Sequence, residues 1–131
     1  YLKNLEGLPR GLESLVLTGS DKLTMPCLRE LPPELRKVDF SGCNWLTDLI
    51  ELPTSIEEIR ARGCNKLIIV SKLPPKLKIL NMSGGVQQIL AELPHSLQYV
   101  NIKQCSNLDK ETHKRLQSWA DKGGGRQLIK D

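Results

Sequence analysis

The dipeptide Leu-Pro recurs five times along the chain, and its regular spacing constrains the fold more than any other feature. Successive copies are separated by 23, 21, 21 and 20 residues, with their leucines at Leu8, Leu31, Leu52, Leu73 and Leu93. A period of about 20 to 29 residues is typical of solenoids, in which each repeat buries its apolar face against its neighbours. The sequence therefore predicts one elongated domain with a continuous, narrow core.

Each Leu-Pro pair is followed by the pattern L-x-x-L-x-L, which fits a β-strand. The five copies begin at Leu12, Leu35, Ile56, Leu77 and Leu97. The fourth and sixth residues of the pattern fall on one face of an extended strand, and we expect that face to line the core. Spacing and pattern together predict an α/β leucine-rich-repeat solenoid of five to six short repeats over residues 1–108, with a concave parallel sheet.

The other half of each repeat carries the proline and predicts an extended convex side. Proline lacks a backbone N–H and fixes φ, which disfavours a regular helix or a central strand. Residues 1–9 match only this second half and form a partial repeat. Because the chain also lacks an initiator methionine, we expect an excised or processed fragment, with no signal peptide in it.

Three of the four cysteines occupy the same position in their repeats. Cys43, Cys64 and Cys105 each lie eight residues after the first residue of the pattern. There the side chain is expected to turn inward and form a weak hydrogen bond to loop backbone. Stacked strands lie about 4.8 Å apart, so a bond between Cys43 and Cys64 stays an alternative. The chain contains no C-x-x-C motif, so a metal site is not predicted. Reduced thiols favour a cytosolic location.

The repeats end at Leu108, and residues 109–122 are predicted to form a capping helix. Thr112, Leu116 and Trp119 fall on one stripe of that helix, which we expect to cover the last repeat. The alternative for Trp119 is an exposed anchor for a partner. Three consecutive glycines then predict a flexible tail over residues 123–131.

Solenoids bind mostly through the concave sheet, where the side chains between the core leucines form columns. The predicted partner-binding residues are the charged members of these columns with the apolar and amide residues beside them: Lys37, Asp39, Glu58, Arg60, Arg62, Ile79, Asn81, Tyr99, Asn101 and Lys103. Arginine and tyrosine are favoured interface anchors. The alternative for each of these residues is that it is an ordinary solvated residue of the sheet with no binding role. Trp45 stands where other repeats are polar. It is either an exposed anchor or packed on the neighbouring loop.

No feature predicts catalysis. His95 and His113 lie far apart in the repeat scheme, and no cysteine has a histidine partner by sequence logic. The formal charge of +4 does not reach the concentrated basic stripe of a nucleic-acid binder, and no segment is suited to span a membrane. The sequence predicts a monomeric protein-binding module with no catalytic residues, metal or cofactor.

The pattern L-P-x-x-L-x-x-L resembles the short repeats of bacterial leucine-rich-repeat effectors, which include the novel-class ubiquitin ligases. The segment Leu93–Asn101 and the stretch from Leu108 to Leu116 look like their last repeat and closing helix. The resemblance covers nearly the whole chain. It implies a recognition domain that is secreted by a bacterium into the host cytoplasm, binds a host protein and directs a substrate to ubiquitination. In those ligases a separate domain with a Cys-x-Asp motif is catalytic, and no cysteine of this chain has that motif.

One departure keeps a second family open. The effectors usually have asparagine where this chain has cysteine, and L-x-x-L-x-L-x-x-C-x-x-L also resembles the repeats of plant intracellular immune receptors. That resemblance implies a cytoplasmic domain with a ligand-sensing or autoinhibitory role. The short repeats and the closing helix favour the effector.

Overall fold

The computed structural model describes residues 4–131, which form a solenoid built on parallel β-structure. Leu2, part of the predicted partial repeat, lies outside these residues. In chain order the elements are β1 (Ser14–Val16), a 3-10 helix (Met25–Glu30), β2 (Lys37–Asp39), β3 (Glu58–Arg60), β4 (Ile69–Val70), β5 (Ile79–Asn81), β6 (Gln88–Ile89), β7 (Tyr99–Asn101), α1 (Lys110–Asp121) and β8 (Gln127–Ile129).

The predicted concave side corresponds to a six-stranded parallel sheet in the order β1-β2-β3-β5-β7-β8, which is called the concave sheet from here on. Its first five strands come from the five copies of the L-x-x-L-x-L pattern and enclose about four turns. The fourth residues of the pattern pair in register across these strands: Leu15, Val38, Ile59, Leu80 and Val100. All but Leu15 are buried, because β1 is the first strand of the sheet. The predicted parallel sheet and its core face are confirmed.

The convex side is extended, as the prolines predict. Strands β4 and β6 form a two-stranded parallel sheet, with Val70 opposite Ile89. The first repeat differs because its Leu-Pro spacing is 23 residues, and its extra length forms the 3-10 helix. Pro26 stands in the first turn of that helix, and Cys27 and Leu28 are buried beneath it.

The repeated cysteines tie successive turns together. The thiol of Cys43 donates a hydrogen bond to the Leu17 carbonyl oxygen at 3.1 Å, and that of Cys64 donates to the Phe40 carbonyl at 3.1 Å. Cys105 makes the equivalent bond one turn back at 3.2 Å. Burial, followed by the nearby Cys64, raises the pKa of the Cys43 thiol to about 11. All four cysteines are free and buried, and the predicted backbone hydrogen bond is confirmed.

Helix α1 begins one residue after the predicted start and ends one residue before the predicted end. Its N-cap is Asp109, whose carboxylate accepts the Thr112 backbone N–H at 2.7 Å. The Thr112 hydroxyl in turn accepts the Ile89 backbone N–H at 3.1 Å, and Arg115 donates to the carbonyl oxygens of Ile89 and Ala91. The helix therefore satisfies backbone groups at the outer edge of β6.

The predicted flexible tail over residues 123–131 is corrected by the structure. Gly123, Gly124 and Gly125 all have positive φ, at 77°, 73° and 77°, a region that glycine enters without strain. The chain thereby turns back, and β8 pairs in parallel with β7, with Leu128 opposite Val100. Three glycines are compatible with a flexible linker and with a tight turn, and the unpaired edge of β7 decides between them.

Candidate binding surface on the concave sheet

Strand register arranges the predicted binding residues in columns, as the repeat alignment requires. The column at the strand starts contains Ser14, Lys37, Glu58, Ile79, Tyr99 and Gln127. The column at the strand ends contains Val16, Asp39, Arg60, Asn81, Asn101 and Ile129. Arg62 and Lys103 lie two residues beyond the second column. All ten residues therefore lie on or beside the same sheet.

Exposure divides these residues into three groups. Lys37, Arg60, Arg62 and Lys103 are exposed, whereas Asp39, Glu58, Ile79, Tyr99 and Asn101 are half-buried. Asn81, predicted to face a partner, is only 8% exposed. Its Oδ1 accepts the Ser83 backbone N–H at 3.2 Å, so the side chain serves the turn that ends its own strand. Asn81 nevertheless lines a cavity on this sheet, so its assignment to the binding surface stays a prediction.

Asp39 and Asn101 also accept backbone N–H groups of the turns that follow their strands, but their side chains stay partly exposed. Asp39 Oδ1 accepts the Ser41 backbone N–H at 2.8 Å, and Asn101 Oδ1 accepts the Lys103 backbone N–H at 2.9 Å. Short polar side chains that bond backbone two residues on are typical of turns. This column thus combines turn formation with polar surface.

The ion pair between Arg60 and Glu58 lies within one strand, β3. Arg60 Nε and Glu58 Oε2 are 2.7 Å apart. The hydrogen bond to Glu58, followed by its charge, raises the pKa of the Arg60 guanidinium. Arg62, in contrast, has no ion-pair partner among residues 4–131. The two arginines are therefore electrostatically different, which sequence alone does not reveal.

Two cavities open on the concave side. One has a volume of about 450 Å³, and its lining residues include Arg60, Ile79, Asn81 and Tyr99. The other has a volume of about 480 Å³ and contains Arg62, several hydroxyl groups and, again, Arg60. They adjoin at Arg60. Lys37, Asn101 and Lys103 line neither cavity.

Several residues that line the cavities or are exposed on this sheet were not predicted, and Gln127 and Val16 are two of them. Gln127 lines the Ile79 cavity, but it lies in the segment expected to be flexible. Val16 is 66% exposed in the second column. Its position between the core leucines Leu15 and Leu17 indicates that its side chain faces solvent. It was not predicted as a binding residue because the prediction favoured charged members of the columns.

The tryptophans pack rather than serve as exposed anchors. Trp45 Nε1 donates to the Ser20 carbonyl oxygen at 2.6 Å, and its ring meets Phe40 edge-on with centroids 6.0 Å apart. Of the two alternatives for Trp45, the structure therefore shows packing on the neighbouring loop. Trp119 is 6% exposed, with the Arg126 guanidinium 5.7 Å from its ring centroid.

Metal clusters and membrane-spanning helices are both absent from the part of the chain that the structure describes. No cluster of three or more His, Cys, Asp or Glu residues there could hold a metal ion. No helix within the same residues has the length and apolar character needed to cross a bilayer.

Comparison with protein-family models, with curated proteins and with solved structures found no match to this chain. Both family resemblances therefore depend on the repeat pattern alone.

Proposed function

We propose that this domain is a non-enzymatic protein-recognition module that binds a partner protein through its concave sheet. The observation that carries the proposal is the pair of adjoining cavities on that sheet, one containing Ile79 and Tyr99, the other Arg62. A rigid parallel sheet holds these side chains in fixed columns, which favours recognition of a folded or extended partner.

The repeat pattern supports a more specific origin. We propose the recognition domain of a secreted bacterial effector that binds a host protein in the host cytoplasm, with any ubiquitin-ligase chemistry in a separate domain. The plant immune-receptor alternative is favoured by Cys43, Cys64 and Cys105 at the repeat position where the effectors usually have asparagine. A nucleotide-binding motif upstream in the gene would favour the receptor, and a Cys-x-Asp motif downstream would favour the ligase.

Helix α1 and strand β8 are proposed to cap the solenoid together. The helix bonds backbone groups at the edge of β6, and β8 pairs with the edge of β7. The edge of β6 thereby gains hydrogen-bond partners, and the concave sheet ends in β8, a strand of only three residues. Very short edge strands limit edge-to-edge association.

The test is affinity capture from host-cell lysate with matched charge-reversal variants. The concave variant is Arg60→Glu/Arg62→Glu, and the control is Lys22→Glu/Lys66→Glu, which reverses two exposed loop charges. Circular dichroism establishes that all the proteins are folded. We expect a specific protein that the wild type and the control retain and the concave variant loses. Retention of every captured protein by the concave variant would contradict binding through this sheet.

A further inference from the structure

The cavity around Arg62 has the chemistry of a carboxylate site. Its wall carries the hydroxyls of Thr18, Ser41 and Ser83 beside the Arg62 guanidinium, which is exposed and has no ion-pair partner among residues 4–131. A guanidinium offers a planar fork of donors that matches a carboxylate in a bidentate manner. The carboxylate in the wall, Asp39, already accepts the Ser41 backbone N–H.

The adjoining cavity suits an apolar side chain. Ile79 and Tyr99 are register partners on neighbouring strands, and both are half-buried. The remaining lining residues are Gly125, the neutral side chains of Asn81, Gln98 and Gln127, and Arg60, whose guanidinium is paired with Glu58. An aliphatic group placed between Ile79 and Tyr99 would remove apolar surface from water on both sides.

The distance between the two cavities limits the spacing of a ligand. Arg62 lies four residues beyond Glu58, the register partner of Ile79, in the turn that follows β3. With a rise of at most about 3.3 Å per residue and about 4.8 Å between strands, the Cα atoms of Arg62 and Ile79 are at most about 14 Å apart. In an extended peptide, residues i and i+4 are about 13 Å apart and lie on the same face.

We propose, on the basis of the proposed recognition function, that the concave sheet binds an extended acidic segment of the partner protein. A glutamate or aspartate of that segment pairs with Arg62, and an aliphatic side chain four residues away enters the cavity beside Ile79 and Tyr99. A nucleic acid fits this surface poorly, because its affinity requires several neutralised phosphates. Of the two arginines that line the cavities, Arg60 is already paired with Glu58, which leaves Arg62 for a single carboxylate.

The test uses an acetylated and amidated peptide containing Glu-Ser-Thr-Ser-Leu, in which the glutamate is the one carboxylate. Titration into ¹⁵N-labelled protein, followed by amide chemical shifts, yields both the dissociation constant and the location. Matched peptides replace the glutamate with glutamine, replace the leucine with alanine, or change the spacing to two or six residues. A uridine oligonucleotide serves as the nucleic-acid probe.

We expect shifts confined to the two cavities and the tightest binding at a spacing of four. Loss of the carboxylate, or Arg62→Glu in the protein, should weaken binding by about tenfold or more, as for a charged hydrogen bond. Ile79→Thr, which keeps a β-branched residue in the strand, should weaken binding of the leucine peptide but not of the alanine peptide. Lys66→Glu, an exposed loop residue, is the charge-matched control.

Equal binding of the glutamate and glutamine peptides, no dependence on spacing, or tighter binding of the oligonucleotide would overturn the proposal. If lysate proteins are still lost in the concave variant in that case, the recognition function stands and only the acidic-segment inference fails. If no protein depends on the concave sheet, the recognition function itself fails.

Discussion

Replacing Thr112 with valine tests how helix α1 is fastened to the solenoid. Thr112 is 3% exposed, and its hydroxyl accepts the Ile89 backbone N–H at 3.1 Å. Valine has nearly the same shape but no acceptor, so the buried Ile89 N–H would lose its partner. Such a stranded donor costs about 1–3 kcal/mol. The added methyl recovers up to about 0.8 kcal/mol, which leaves a net loss between about 0.2 and 3 kcal/mol.

Urea unfolding followed by circular dichroism measures this loss as a lower transition midpoint. Thr54→Val is the matched control, because Thr54 is exposed in a turn, and we expect its effect to stay within about 0.5 kcal/mol. Amide hydrogen exchange provides a local readout at Ile89. Its N–H should exchange faster in Thr112→Val and unchanged in Thr54→Val.

The result that refutes this reasoning is an unfolding free energy equal to that of the wild type together with unchanged exchange at Ile89. Faster exchange at Ile89 with unchanged global stability has a different meaning. In solenoids each unit contacts only its neighbours, so an end can open below the free energy of global unfolding. The helix would then detach before the remaining turns unfold.

Three further predictions concern other parts of the chain. At pH 8, Cys43 should resist a thiol reagent until urea unfolds the protein, because burial raises its pKa to about 11; rapid labelling of the native protein would contradict this. Trp45→Phe should lower the unfolding free energy by about 0.5–1.5 kcal/mol, since the bond to the Ser20 carbonyl is lost; an unchanged melting temperature would argue against it. The hydrogen bond from the Thr112 backbone N–H lowers the pKa of Asp109, so its stabilisation is present above the ordinary value of 3.8 and is lost as pH falls through the folded value. The stability difference between wild type and Asp109→Asn should therefore shrink below about pH 4, as unfolding curves at several pH values would show.

The repeat period predicted the parallel sheet and its register because both depend on short-range patterning that recurs without change. Leu35, Ile56, Leu77 and Leu97 are all buried, as the alignment requires. Leu12 is only half-buried, since β1 has no neighbouring strand on its outer side among residues 4–131. The pattern defines a position within a repeat, but burial also depends on the presence of the next repeat.

The errors arose where the outcome depends on a choice between two compatible structures. The glycines at 123–125 suit a linker or a turn, and only the free edge of β7 selects the turn. The 8% exposure of Asn81 was also not predictable, because it depends on the neighbouring side chains, which the alignment does not describe. The difference between Arg60 and Arg62 likewise required the Glu58 contact.

The thiol bonds between turns have a consequence for how such a domain can change in length. Cys43 and Cys64 each reach a carbonyl oxygen in the preceding turn, and the two bonds are alike at 3.1 Å. A tandem duplication of the 21 residues 44–64 would give the new thiol an equivalent carbonyl acceptor in its preceding turn and leave the old bonds intact. The concave sheet would lengthen by one strand, about 4.8 Å, and gain one residue in each column. Reach along a partner can thus be extended in units of one repeat, without redesign of the core.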